Sequence, residues 1–119
     1  MSADCPLQIN RALHFARTEV ISAWLGSVPP DEPAILLGDF NSVRTSRAYQ
    51  LIGTHLRDVR TLVLPARAFR TFPTRLPCLA VDHIFVNAAL HPIQLSVHRT
   101  PLARLASDHF PLVCELTLI

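Results

Sequence analysis

The sequence predicts an α+β domain, and three observations carry that expectation. One stretch has helical apolar spacing, two short apolar runs have strand length, and the chain ends in an alternating segment. In Leu7–Leu25 the apolar residues Leu13, Ala16, Val20, Trp24 and Leu25 recur mostly at spacings of three and four, the periodicity of an amphipathic helix. Gly26 and the Val28-Pro29-Pro30 segment end it. Ala34-Ile35-Leu36-Leu37 is a continuous apolar run before Gly38-Asp39, which predicts a strand buried on both faces. A short helix is expected over Ser46–Ile52 with Thr45 or Ser46 as its cap. The Pro- and Arg-containing stretch Leu64–Pro77 reads as loop, and Leu79–Val86 as a second buried strand. Ile93–His98 predicts a half-exposed strand. Phe110–Ile119 predicts a closing strand with Leu112, Cys114, Leu116 and Leu118 on one face.

Composition bounds what the chain does. With 119 residues, half of them hydrophobic and 17% charged, it is one domain at most, with ample material for a core. The formal net charge of +2 provides no strong field for non-specific nucleic-acid binding. Cys5, Cys78 and Cys114 are odd in number and include no C-x-x-C pair, so free buried thiols are expected rather than a disulfide framework or a zinc site. The polar start Met1–Pro6 is unlike a signal peptide. The longest apolar runs fall far short of the ~20 residues that span a bilayer. A soluble protein is the resulting expectation, with its compartment left open and cytoplasmic only by default.

Three polar clusters interrupt apolar segments at their ends. In Gly38-Asp39-Phe40-Asn41, residues i and i+2 of an extended chain point the same way, so Asp39 and Asn41 are able to face one site. A carboxylate orients a water or binds a hard cation, and an amide donates to a phosphoryl oxygen. The same residue types also make ordinary turns. Asp82 lies in the otherwise apolar run around Val81-Asp82-His83-Ile84, where an unpaired carboxylate costs several kcal/mol, so a partner is required. A histidine suits it, because a carboxylate fixes the tautomer and stabilises the imidazolium. His83 points away from Asp82 and reads as surface or core filler. Ser107-Asp108-His109 precedes the last strand and, alone, also reads as a capped turn. Arg67, Arg70 and Arg75 suit either a phosphorylated substrate or, more simply, a solvated loop.

Taken in order, Gly38–Asn41, Leu56-Arg57-Asp58, Thr71-Phe72-Pro73, Val81–Phe85 and Ser107–Leu112 resemble the second half of the endonuclease/exonuclease/phosphatase superfamily, the DNase I-like metal-dependent phosphohydrolases. The resemblance implies a partial four-layer α/β/β/α sandwich, with mainly antiparallel or mixed sheet and flanking helices. It implies a single partial domain over residues 1–119 that lacks its amino-terminal half. It also implies divalent-metal-dependent phosphoester hydrolysis with Mg²⁺ (or Mn²⁺). By the same resemblance, Asp39 orients or deprotonates the attacking water and Asn41 contacts phosphate or metal. His109 contacts the scissile phosphate, Asp82 is its carboxylate partner, and Asp108 helps hold the metal together with Asp39 and Asn41.

The resemblance also marks what is absent. No N-x-E-like segment supplies a metal-binding Glu, since Glu19, Glu32 and Glu115 stand in other contexts, and no T-H-L-like strand supplies a second histidine. The alternative expectation is therefore a catalytically inactive remnant or interaction module that keeps half of the fold. An apolar sheet face without its partner sheet would drive self-association or complementation. The substrate class (DNA, phospholipid, inositol phosphate or nucleotide) is not encoded in these motifs.

Overall fold

The computed structural model describes residues 11–40, 43–65 and 67–119. Along the chain these form α1 (Arg11–Leu25), β1 (Ile35–Asp39), α2 (Arg47–Ile52), β2 (Arg57–Asp58), a 3₁₀ turn (Val59–Thr61), β3 (Asp82–Val86), β4 (Leu90–Val97), α3 (Pro101–Ala106) and β5 (Leu112–Leu118). The strands make two antiparallel sheets, one in the order β1-β3-β2 and the other the pair β4-β5.

The register of β1 on β3 assigns every side chain to a layer. Ile35 pairs with Val86, Leu36 with Phe85, Leu37 with Ile84, Gly38 with His83 and Asp39 with Asp82, and directly opposed residues of an antiparallel pair share a face. Leu36 and Phe85 pack with Leu25, Tyr49, Ile52 and Leu56 beneath α1 and α2. Ile84 and Val86 pack on the other side with Val59, Val63, Leu90 and Leu95, against Leu112, Cys114 and Leu116 of β5. The result is a helix layer, a sheet and a second sheet, three of the four layers expected. The short α3, which the apolar pattern did not announce, buries none of its residues and exposes Leu102 and Leu105.

Four expectations are corrected by the structure. β1 is not buried on both faces: Ile35 is 48% and Leu37 63% exposed. They share a face with Val86 and Ile84, but the two-stranded β4-β5 sheet covers β3 and leaves the edge strand β1 open. The helix is present, yet over residues 17–25, whose side chains are described, its buried face differs from the apolar one. Thr18, Ser22 and Leu25 face inward, while Val20 and Trp24 are exposed. Thr18, Ser22 and Leu25 fall at i, i+4 and i+7, one stripe of a helix, and Ser22 Oγ lies 2.8 Å from His55 Nε2. Two polar residues thus pack inward beside Leu25, where apolar spacing alone pointed to Val20 and Trp24. Leu118 is likewise exposed rather than grouped with the other inward residues of β5. Among the cysteines, Cys114 is a free, half-buried thiol, whereas Cys78 is disulfide-bonded, contrary to the expectation of free thiols.

Local chemistry sets the ends of the elements. Ser46 caps α2, its Oγ accepting from Tyr49 N at 3.1 Å, which satisfies one of the unpaired amides of the first turn. Asn87, just after β3, accepts from Ala34 N at 3.2 Å and donates from Nδ2 to Glu32 O at 2.5 Å, tying the connection before β1 to the end of its partner strand. Gly38 has φ +145° with no atom near a would-be Cβ, so the backbone conformation, not space, requires glycine there.

Beneath the first sheet lies a buried polar chain. Tyr49 Oη donates to Asp58 Oδ2 at 2.7 Å, Arg60 N donates to Asp58 Oδ1 at 3.0 Å, and the Arg60 guanidinium donates to His83 Nδ1 at 3.0 Å. A guanidinium only donates, so His83 accepts at Nδ1. The residue expected as filler is therefore fully buried and sits in this network. Burial, then the hydrogen bond and charge of Asp58, push the Tyr49 hydroxyl up to about 12.

Tyr49 is the chain's single tyrosine, which makes its titration directly readable. A raised folded value means that its stabilising contribution is complete below the unfolded value of about 10 and is lost as pH climbs toward about 12. Tyrosinate absorbance is expected to rise near pH 12 in the folded chain and near 10 in denaturant. Coincident curves would contradict the buried Tyr49–Asp58 bond. Tyr49→Phe should cost about 1.5–3 kcal/mol in urea unfolding, the range for a hydrogen bond to a charged group.

Candidate active site

Adjacent strand ends bring the carboxylates together. Asp39 ends β1 and Asp82 begins β3, and their pairing in register sets both on the face that looks toward β5. Asp82 is half-buried and Asp39 more open. His109 enters from the loop between α3 and β5. Its Nδ1 lies 2.8 Å from Asp82 Oδ2 and its Nε2 3.5 Å from Asp39 Oδ2. The acceptor Asp82 fixes the proton on Nδ1, so Nε2 is the nitrogen presented to Asp39 and to the cleft.

The loop carrying His109 is held from below by the Thr71–Thr74 segment. Thr74 N donates to Asp108 O at 2.9 Å, Thr74 Oγ1 to Ser107 O at 3.1 Å, and Phe110 N to Thr71 O at 2.9 Å. Ser107 Oγ accepts from His109 N at 3.1 Å, a hydroxyl turn that shapes the loop from within. Thr71 is fully buried, and its hydroxyl donates to Asp82 Oδ2, the same oxygen that His109 uses. The Phe72 ring lies against the imidazole, with centroids 4.6 Å apart. Thr71 and Phe72, which the sequence left without a definite role, are therefore the immediate supports of the Asp82–His109 pair.

Asp39, Asp82 and His109 each offer a ligand atom, all within 4.8 Å of one another. They line an open cleft of about 320 Å³ together with Leu37, Ile84 and Leu112. Asp108 stands beside them, its side chain 75% exposed and Oδ1 3.9 Å from His109 Nε2. Of the expected site residues, Asp39, Asp82, Asp108 and His109 thus converge, and Asn41 lies outside the described residues.

The imidazole titrates among these carboxylates. Burial lowers its pKa, but the hydrogen bond and charge of Asp82, with the charges of Asp39 and Asp108, outweigh it and raise the value above 6.5.

Comparison with known proteins points to the same family as the motifs. The sequence profile of the Endonuclease/Exonuclease/phosphatase family matches residues 7–109. The chain belongs to the endonuclease/exonuclease/phosphatase family. The protein YbhP of Escherichia coli (strain K12), itself uncharacterized, is 31% identical over 115 residues, which cover 94% of this chain and 44% of YbhP. A conserved protein of unknown function from Enterococcus faecalis V583 superposes with a TM-score of 0.77 at 26% identity, covering 93% of this chain and 46% of that one. A mannosyl-6-phosphatase from Bacteroides thetaiotaomicron VPI-5482 superposes with a TM-score of 0.70 at 26% identity, covering 92% and 48%. The family fold expected from the motifs is therefore present, and the chain spans about half the length of these relatives. Among the described residues, no helix is long and apolar enough to cross a membrane.

The raised His109 value sets the sign of a pH effect. Stability from its ion pairing is complete below the unfolded value of about 6.5 and is lost as pH rises through the higher folded value. The melting temperature should fall over that interval in the native chain and run flatter in His109→Gln. Identical profiles would count against the Asp82–His109–Asp39 cluster.

Proposed function

We propose that this chain carries the catalytic residues of a divalent-metal-dependent phosphoester hydrolase. The observation that carries the reading is the imidazole of His109 held by Asp82 through Nδ1, with Nε2 turned toward Asp39 in an open cleft. Family membership supports it, as does the likeness to a phosphatase.

In this reading Asp39, the more open of the two strand-end carboxylates, orients the attacking water and accepts its proton. His109, charged while its proton is retained, donates from Nε2 to a phosphoryl oxygen, and Asp82 keeps it oriented and stabilises its positive form. Phe72 walls the imidazole on one side and restricts its rotation.

The donor set fits a hard cation. Asp82 is engaged by Thr71 and His109, whereas Asp39 and Asp108 both flank Nε2 of His109, at 3.5 and 3.9 Å. Mg²⁺ commonly takes one or two carboxylates and completes its shell with water and substrate phosphate, so Asp39 and Asp108 would hold it. When bound, it would neutralise charge developing on the phosphoryl group. Asn41 belongs to the same proposal as a phosphate or metal contact, on the resemblance of Gly38–Asn41 to the family motif.

A second reading, an inactive remnant or interaction module, is favoured by two observations. The chain corresponds to under half of its relatives' length, and its β1 face is open at Ile35 and Leu37. The complementary half of the fold, or a second copy, would cover that face and complete the site.

Hydrolysis of p-nitrophenyl phosphate and bis-p-nitrophenyl phosphate, with Mg²⁺ and with chelator, separates the two. Asp39→Asn and His109→Ala are each expected to lower kcat by about 10²–10⁴-fold, and chelator to abolish turnover. Folded chain without metal-dependent turnover, alone or mixed with the remaining half of a relative such as YbhP, would establish the remnant. Sedimentation velocity should show association that Leu37→Glu relieves. A monomer at all concentrations would refute association through β1.

A further inference from the structure

Arg60 is 1% exposed, and its guanidinium holds two segments of the chain together. Nε donates to Ala68 O at 2.9 Å and Nη2 to Phe69 O at 3.1 Å, both in the stretch that runs into Thr71 and Phe72. Nη2 also donates to Asp82 O at 2.7 Å, and Nη1 meets His83 Nδ1 at 3.0 Å, both at the start of β3. Asp58 anchors the arginine in turn, through the Arg60 amide and with a carboxylate oxygen 3.6 Å from Nη1.

These acceptors lie immediately beside the supports of the active site. Two to four residues after the carbonyls of Ala68 and Phe69 come the hydroxyl that donates to Asp82 and the ring that packs on His109. The third carbonyl belongs to Asp82 itself. Phe69 has φ +51°, a left-handed conformation that a bulky side chain disfavours. Local preference does not produce that course of the chain, whereas a rigid planar group with several donors in fixed directions does. We propose that Arg60 is a positioning residue for the active site, locking the 68–72 segment to β3 so that Thr71 and Phe72 meet the Asp82–His109 pair. It touches neither the cleft nor a substrate, and acts only through these neighbours.

The proposal concerns the same site as the hydrolysis reading, but its first arm needs no turnover. Contacts between the His109 and Phe72 rings are measurable as nuclear Overhauser effects and ring-current shifts. Arg60→Lys keeps the charge but cannot supply the same planar set of donors. In the folded variant, with β4 and β5 amide shifts unchanged, the Phe72–His109 contacts are expected to weaken or vanish. Retained contacts would overturn the proposal. Arg60→Met with Asp58→Asn removes both buried charges and serves if Arg60→Lys fails to fold.

Hydrogen exchange in the native chain requires no variant. The Arg60 Nε–H and the Thr71 and Phe72 amides should exchange in one common opening. Loop amides that exchange much faster than the guanidinium protons would equally overturn it. Where turnover is present, Arg60→Lys should lower kcat by about 10- to 100-fold with KM unchanged, the scale of a small misplacement of catalytic groups. Turnover absent both in the native chain and in its mixture with the complementing half overturns the hydrolysis reading and leaves the ring-contact result to decide the role of Arg60.

Discussion

The structure depends on how Asp82 is satisfied. A carboxylate at the start of a buried strand is costly unless it is paired and hydrogen-bonded, and here both its side chain and its main chain find strong donors. The side chain accepts from Thr71 and His109, and the carbonyl accepts from Arg60. Each donor arrives from a different segment, so meeting the requirements of one residue brings together the 71–74 stretch, the loop before β5 and the turn after β2. The site is assembled by the same bonds that make the strand tolerable.

Polar networks lie on both sides of β3, their side chains kept on opposite faces by strand alternation and joined through the Arg60–Asp82 carbonyl bond. Asp82 faces the second sheet and the cleft, while His83 faces the helices and joins Arg60, Asp58 and Tyr49. Among the described residues, no buried side-chain nitrogen or oxygen lacks a hydrogen-bond partner, which is the condition under which such networks specify a structure. The electrostatics of the two differ. The network under the helices is closed, with the Tyr49 proton held up to about 12. The one at the cleft is partly open, and its imidazole titrates above its ordinary value because three carboxylates outweigh burial.

The open face of β1 has a geometric cause. A two-stranded sheet is too narrow to cover a three-stranded one, and β1 is the edge left over. Relatives of about twice this length share the fold, and in this chain Ile35 and Leu37 form an exposed apolar edge on β1.

The sequence by itself determined the family, the polar clusters and the placement of most elements. Apolar runs interrupted by Asp39 and Asp82, and Ser107-Asp108-His109 before an alternating strand, are local patterns that survive without knowledge of packing. The partner demanded by a buried Asp82 was legible as a histidine, and His109 meets that demand. Other features depended on contacts distant in sequence. Among the described side chains of α1, Thr18, Ser22 and Leu25 face inward and Ser22 meets His55, a contact that apolar spacing does not encode. The exposure of β1 follows from the width of the second sheet, not from its own composition. Arg60 belongs to no motif, although Asp58-Val59-Arg60 between apolar residues is the kind of pattern a compensated buried pair leaves. Only the tertiary structure decided its role, because a guanidinium gains its meaning from the four acceptors that surround it, drawn from two segments apart in the chain.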